Sequence, residues 1–224
     1  MRRARGFTLI ELAISLAIIG LLVGMLVVPL NAQVDQRRIN DTERQLNLIT
    51  EALMGFAVAN GRLPCPATPN VANTAAGAGL EAKPAAVCTL NEGVIPWTTL
   101  GVNELDAWGR RFTYRVTPAF ADDPAGGLQA TFTLADNGTM TITNGVANIA
   151  TNIAAVVVSH GKNGAGAYMP DGTRRALNPG DEGENADADD IFVSRTNAPD
   201  FDDLVAWVAP AMLKARMVAA NRLP

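Results

Sequence analysis

The chain has little of what metal and nucleophile chemistry draws on. Its 224 residues hold two cysteines, Cys65 and Cys88, and one histidine, His160. Neither cysteine belongs to a Cys-x-x-Cys, so a Cys/His zinc site cannot be assembled. There is no Gly-x-Ser-x-Gly elbow, phosphate-binding loop or His-Glu-x-x-His. Ser159 and His160 are adjacent, but neighbours on a strand point to opposite faces and make a poor nucleophile–base pair. Basic residues do not cluster beyond Arg2, Arg3, Arg5 and the Arg37–Arg38 pair, and the formal net charge is −4. A phosphate-binding surface needs a basic face, so nucleic acid is not an expected partner. Trp97, Trp108 and Trp207 are scattered, and read as packing residues rather than a binding platform.

What the chain does have is an uneven share of apolar residues. Hydrophobic side chains make up 48% of the sequence, and a large part of them lies between Phe7 and Leu30. This run of about 24 residues is long enough, as a helix, to cross a hydrocarbon core of roughly 30 Å. Arg2, Arg3 and Arg5 precede it and orient the N-terminus to the cytoplasm, with residues 31–224 outside. The remainder suffices for one soluble domain with a modest core.

Three readings of the run compete. A secretory signal would have a shorter apolar stretch, although Leu30-Asn31-Ala32 weakly resembles a cleavage site. A plain anchor fits the length but leaves Glu11 unexplained, since a carboxylate in the bilayer costs on the order of 2.5–3.5 kcal/mol. Cleavage between Gly6 and Phe7 explains it. The new α-amine of Phe7 then opens an apolar helix, and Glu11, one turn on, can supply its counter-charge to a neighbouring copy.

At these residues a family resemblance is close. Gly6-Phe7-Thr8-Leu9-Ile10-Glu11-Leu12 resembles the processing motif of type IV prepilins and type II secretion pseudopilins, and Gly20 and Pro29 are similar to that family's helix-interior glycine and membrane-exit proline. The resemblance implies a leader, 1–6, removed by prepilin peptidase, N-methylation of Phe7, and a role for Glu11 in assembly. It implies a transmembrane and filament-core segment, 7–30, and a periplasmic pilin-like domain, 31–224. The implied partners are other pilins or pseudopilins in a helical filament, and an inner-membrane assembly platform with its ATPase.

The fold expected is α+β and pilin-like: a long N-terminal helix, half transmembrane and half amphipathic, packed on an antiparallel β-sheet. Ile39, Leu46, Ile49, Leu53 and Phe56 form one apolar stripe, and Asn60-Gly61 followed by Pro64 stops the helix. Residues 63–96 read as an irregular surface segment. In an exported domain Cys65 and Cys88 would pair, closing a loop of about 23 residues and stabilising it by roughly 3 kcal/mol; the alternative is two unpaired thiols. Strands are predicted at 111–117, 153–159, 190–194 and 204–207, with 153–159 central. A hairpin is predicted from 129–135 and 139–143 around Asp136-Asn137-Gly138. A short helix is predicted from Pro210.

Two further segments resemble the major pseudopilin of type II secretion. Asp106-Ala107-Trp108-Gly109 is similar to its Asp-x-Trp-Gly entry into the sheet. Ser159-His160-Gly161-Lys162-Asn163-Gly164, with the acidic stretch Asp187-Ala188-Asp189-Asp190, is similar to a region that binds calcium in that family. The resemblance therefore suggests Asp187, Asp189 and Asn163 as calcium ligands, with oxygen donors of the right kind; the alternative is a solvated acidic loop with no ion and no cofactor. Asn163 stands where the family has Asp, and 164–183 is longer than its loop. The function implied is that of a minor or atypical pseudopilin. The alternatives are a minor pilin of a type IV pilus and, from a different class, a membrane-anchored periplasmic enzyme.

Overall fold

The computed structural model describes residues 8–83, 85–123, 126–127 and 129–223, without the side chains of 23–30. Its elements, in chain order, are α1 (Leu9–Asn60), β1 (Glu92–Val94), α2 (Trp97–Leu100), β2 (Thr113–Val116), α3 (Pro118–Ala121), β3 (Met140–Thr143), β4 (Asn148–Ile153), β5 (Ala155–Ser159), α4 (Asp181–Glu184), β6 (Ile191–Val193), β7 (Leu204–Val208) and α5 (Pro210–Ala219). The chain divides into two compact units, Met1–Asn40 and Asp41–Pro224.

In the first unit residues 9–22 of α1 are largely apolar and uncovered. Leu9, Ile10, Leu12, Ile14, Leu16 and Ile18 are each more than half exposed, and Leu9 reaches 88%. Of the run expected to span a membrane, Phe7 and the side chains of 23–30 lie outside the described residues. Among the described residues no helix is long and apolar enough to cross one.

The second unit is layered around one strand. β1, β2, β5 and β7 form an antiparallel sheet in that order. The expected central strand, β5, lies between β2 and β7, with Val157 opposite Tyr114 on one side and Ala206 on the other. All five of its residues are buried. Because side chains alternate across a strand, Ala155 and Val157 enter one core and Val156 and Val158 another. The first core takes Leu46, Ile49 and Leu53 from α1 and Leu213 and Met217 from α5. The second takes Met140 and Ile142 from β3, Ile153 from β4 and Phe192 from β6. A continuous apolar strand is the sequence mark of burial on both faces.

The helix stripe is shifted from the expected one. Thr42, Leu46, Ile49, Leu53, Met54 and Ala57 are buried, whereas Ile39 and Phe56 are half-buried. The stop is where Asn60-Gly61 put it. Gly61 takes φ +74°, a left-handed conformation that favours glycine, and donates its N–H to the Ala57 carbonyl at 2.8 Å.

Three strand expectations need correction. Residues 129–135 form no strand, so the predicted hairpin with 139–143 is absent. Their backbone is used elsewhere: Ala130 donates to the Arg222 carbonyl and Thr131 to the Gly61 carbonyl, while Phe132 packs on Phe120 at 4.8 Å between ring centroids. Met140–Thr143 pairs instead with Asn148–Ile153, around a turn in which Asn144 Oδ1 accepts from the N–H groups of Val146 and Ala147. The 153–159 stretch breaks at Ala154 between β4 and β5. The second sheet, β4–β3–β6, also contains a parallel pair, β3 with β6.

The irregular 63–96 segment, which includes the unpredicted strand β1, is held by specific links. Cys65 and Cys88 form a disulfide with 5.3 Å between Cα atoms. Arg62 makes a two-pronged ion pair with Glu81, each contact 2.8 Å. Arg111, wholly buried, pairs with Glu104 at 2.9 Å, donates to the carbonyls of Pro69, Val71 and Pro170, and lies over Trp97. Replacing both cysteines by alanine is expected to lower unfolding free energy by about 3 kcal/mol, the chain-entropy value for this loop. Chemical denaturation of the oxidised and cysteine-free chains checks it, and equal midpoints would mean that these other links alone order the segment.

Candidate functional site

Gly6 and Phe7 lie outside the described residues. Glu11 lies within them and has a partner that the sequence reading did not foresee. Thr8 precedes the first helical residue, Leu9, and its N–H and hydroxyl both donate to Glu11 Oε2, at 2.9 and 2.8 Å. The Glu11 N–H returns a contact to Thr8 Oγ1 at 3.3 Å. This is a capping box, with Thr at the cap and Glu three residues on. The Thr8-x-x-Glu11 spacing carried that signal.

The second constellation joins segments far apart in the chain. Asp106 Oδ1 accepts the N–H groups of Trp108 and Arg110, closing a tight turn at Gly109. Its other oxygen accepts the Ser159 hydroxyl at 2.7 Å, at the end of the central strand. Arg110 reaches the carbonyls of Gly161 and Lys162. Gly164, at φ +66°, passes so close that a Cβ there would run into the Arg110 side chain. The Asp-x-Trp-Gly and Ser-x-Gly segments singled out in the sequence therefore form one structural joint. Burial raises the Asp106 carboxyl from its ordinary value, against the donors that favour its charged form.

Ser159 and His160 are both fully buried and engage different partners. Ser159 is committed to Asp106, and His160 Nε2 lies 2.8 Å from Thr113 Oγ1. No nucleophile–base contact joins them. Desolvation, with smaller contributions from Arg174 and Arg110, pulls the imidazole down from 6.5 to about 3, so the ring is neutral at physiological pH.

Among the described residues, acidic side chains gather in two places that could hold a metal ion. Glu184, Asp187 and Asp189 each offer an oxygen within a 4.8 Å set, and Asp187 and Asp189 are exposed. Local backbone donors already engage two of them: the Asp189 N–H reaches Asp187 at 3.3 Å and the Ile191 N–H reaches Asp189 at 2.7 Å. The donor set is all oxygen and suits a hard cation such as calcium. Asn163 belongs to the other place. Its Nδ2 donates to Glu182 at 2.6 Å and its N–H to Asp202 at 2.9 Å. Glu182 and Asp202 there meet Asp203. Burial, reinforced by Glu182 and Asp202, pushes Asp203 up to about 8. Sequence reasoning passed over Glu182, Asp202, Asp203 and Arg110. The signal for the aspartates was the Asp202-Asp203 pair immediately before the strand Leu204–Val208.

Compared with known families, residues 1–27 match the prokaryotic N-terminal methylation motif. No curated protein and no solved structure matches the chain. The chain thus carries, at its N-terminus, the signature of type IV prepilins and pseudopilins, a family of structural subunits. The motif implies processing by prepilin peptidase and assembly with other pilins.

His160 sets a pH dependence. Its folded value lies below the unfolded 6.5, so the stability tied to a neutral ring is complete above 6.5 and is lost as pH falls toward about 3. His160→Gln, which has no charge to gain, is expected to flatten the decline of Tm over that interval. A thermal melt series across it checks this; an unchanged slope would assign the acid loss to carboxylates alone.

Proposed function

We propose that the protein is a minor or atypical pseudopilin of a type II secretion pseudopilus, a structural part rather than a catalyst. Prepilin peptidase cuts between Gly6 and Phe7, Phe7 is N-methylated, and residues 7–30 hold the subunit in the bacterial inner membrane with residues 31–224 in the periplasm. An assembly platform and its ATPase then draw the helix into a helical filament that helps to drive export. The observation that carries this reading is the methylation motif over residues 1–27.

The exposed leucines and isoleucines of α1 support it. A bare apolar helix surface is stable only when something covers it, and lipid followed by neighbouring helices would do so in turn. The Cys65–Cys88 bond suits an oxidising compartment outside the cytoplasm. The secretion assignment rests on the two segments similar to the major pseudopilin, which Asp106 and Arg110 link. A minor pilin of a type IV pilus is the second reading, since the N-terminal signature is common to both.

Glu11 has two separable tasks: it caps its own helix, and in a filament it would neutralise the Phe7 amine of a neighbour. Glu11→Gln keeps a capping-box side chain but removes the charge, whereas Glu11→Val removes both. Both variants are expected to be cleaved and methylated normally, and both to be depleted from filaments. The mass of the N-terminal peptide, from membranes and from sheared filaments, measures this. Wild-type incorporation of Glu11→Gln would assign the role to the cap. A mature start at Gln33, or an uncut Met1, would remove the prepilin reading. Enrichment in the sheared fraction would favour the pilus, and retention in the envelope the pseudopilus.

A further inference from the structure

Three carboxylates meet where α4 faces the entry of β7: Glu182, Asp202 and Asp203, with one oxygen from each in a set no wider than 4.8 Å. Glu182 and Asp203 are almost wholly enclosed, at 3% and 2% exposure. Like charges this close repel strongly once water is excluded. A desolvated carboxylate stays ionised only with a counter-charge or a full set of donors.

The donors do not make a full set. Glu182 Oε1 accepts from Asn163 Nδ2 and from the Asp202 N–H, and Oε2 from Asn178 Nδ2. Asp203 Oδ2 accepts from Asn185 Nδ2 at 2.9 Å. Asp202 Oδ1 and Asp203 Oδ1 are buried and have no hydrogen-bond partner among the described residues. An independent group faces the same place. His160, fully buried on the neighbouring strand end, directs an unpartnered Nδ1 toward Asp203 Oδ2 from 3.9 Å.

We propose that Glu182, Asp202 and Asp203 form a buried site for a hard divalent cation, calcium by preference. Three carboxylates offer oxygen donors only, which suits calcium, magnesium or manganese and not a thiolate-seeking ion. Magnesium keeps several waters in a strict octahedron, whereas calcium adapts to an irregular cage of carboxylates and carbonyls. The bound ion adds positive charge to that of Arg110, which already acts on Asp202, and occupies the two bare oxygens. It also ties α4 and the loop after β5, through Asn163, to the start of β7. None of its three ligands belongs to the exposed set Glu184, Asp187 and Asp189, and the site needs no filament contact.

The test uses the full chain in detergent, stripped with EDTA, with calcium itself as the probe. Calorimetric titration, metal analysis after gel filtration and thermal melts give the readouts. The wild type is expected to retain about one calcium per chain and to melt at a higher temperature with it. Asp203→Asn and Glu182→Gln are each expected to weaken binding by on the order of tenfold or more. The double variant Asp187→Asn/Asp189→Asn is expected to bind as the wild type does. Binding lost in that double variant and kept in Asp203→Asn would place the ion in the exposed loop and overturn the proposal. A wild-type chain that retains no calcium and melts alike with and without it would overturn it too, whether or not the buried-acid variants fold.

Discussion

The folded unit depends on one constraint: β5 must be dry on both faces. Ala155 and Val157 cannot be buried without the helix layer, nor Val156 and Val158 without the second sheet. Each fully buried aliphatic side chain contributes roughly 1.5–3 kcal/mol, so neither cover is dispensable. The strand's backbone is equally committed, with β2 along one edge and β7 along the other. The elements on either side are short or irregular, and they converge on this strand.

That arrangement explains where the polar chemistry sits. Ser159 and His160 end the buried strand, so they carry polar groups to a place that water does not reach. Each needs a partner, and Asp106 and Thr113 supply them. Arg110 extends the joint to the carbonyls beyond. The acidic trio completes the same end of the unit. What resembles a catalytic alphabet of Ser, His and Asp is spent on holding loops in place, in keeping with the structural character of the family whose N-terminal motif the chain carries.

Where the sequence was legible, a local cause was strong. Asn60-Gly61 stopped α1 and Pro210 opened α5 because each acts through its own backbone geometry. The apolar run 155–159 announced a strand buried on both sides. Residues 129–135 misled for the opposite reason. Their alternation satisfied the strand pattern, but Gly61 and Arg222 took the backbone groups, and Asn144-Gly145 offered β3 a nearer partner. Pairing of strands is a contest between segments, and alternation in one of them does not reveal its rivals.

By itself the sequence determined the N-terminal processing motif, the long helix and its stop, the central strand and the two cysteines able to pair. These follow from contiguous residues acting through charge, length and periodicity. Only the tertiary structure decided that Asn163 lies with Glu182 and Asp202, and that Asp203 meets them near His160. Those side chains come from segments tens of residues apart. Their electrostatics exist only once the chain has excluded water around them.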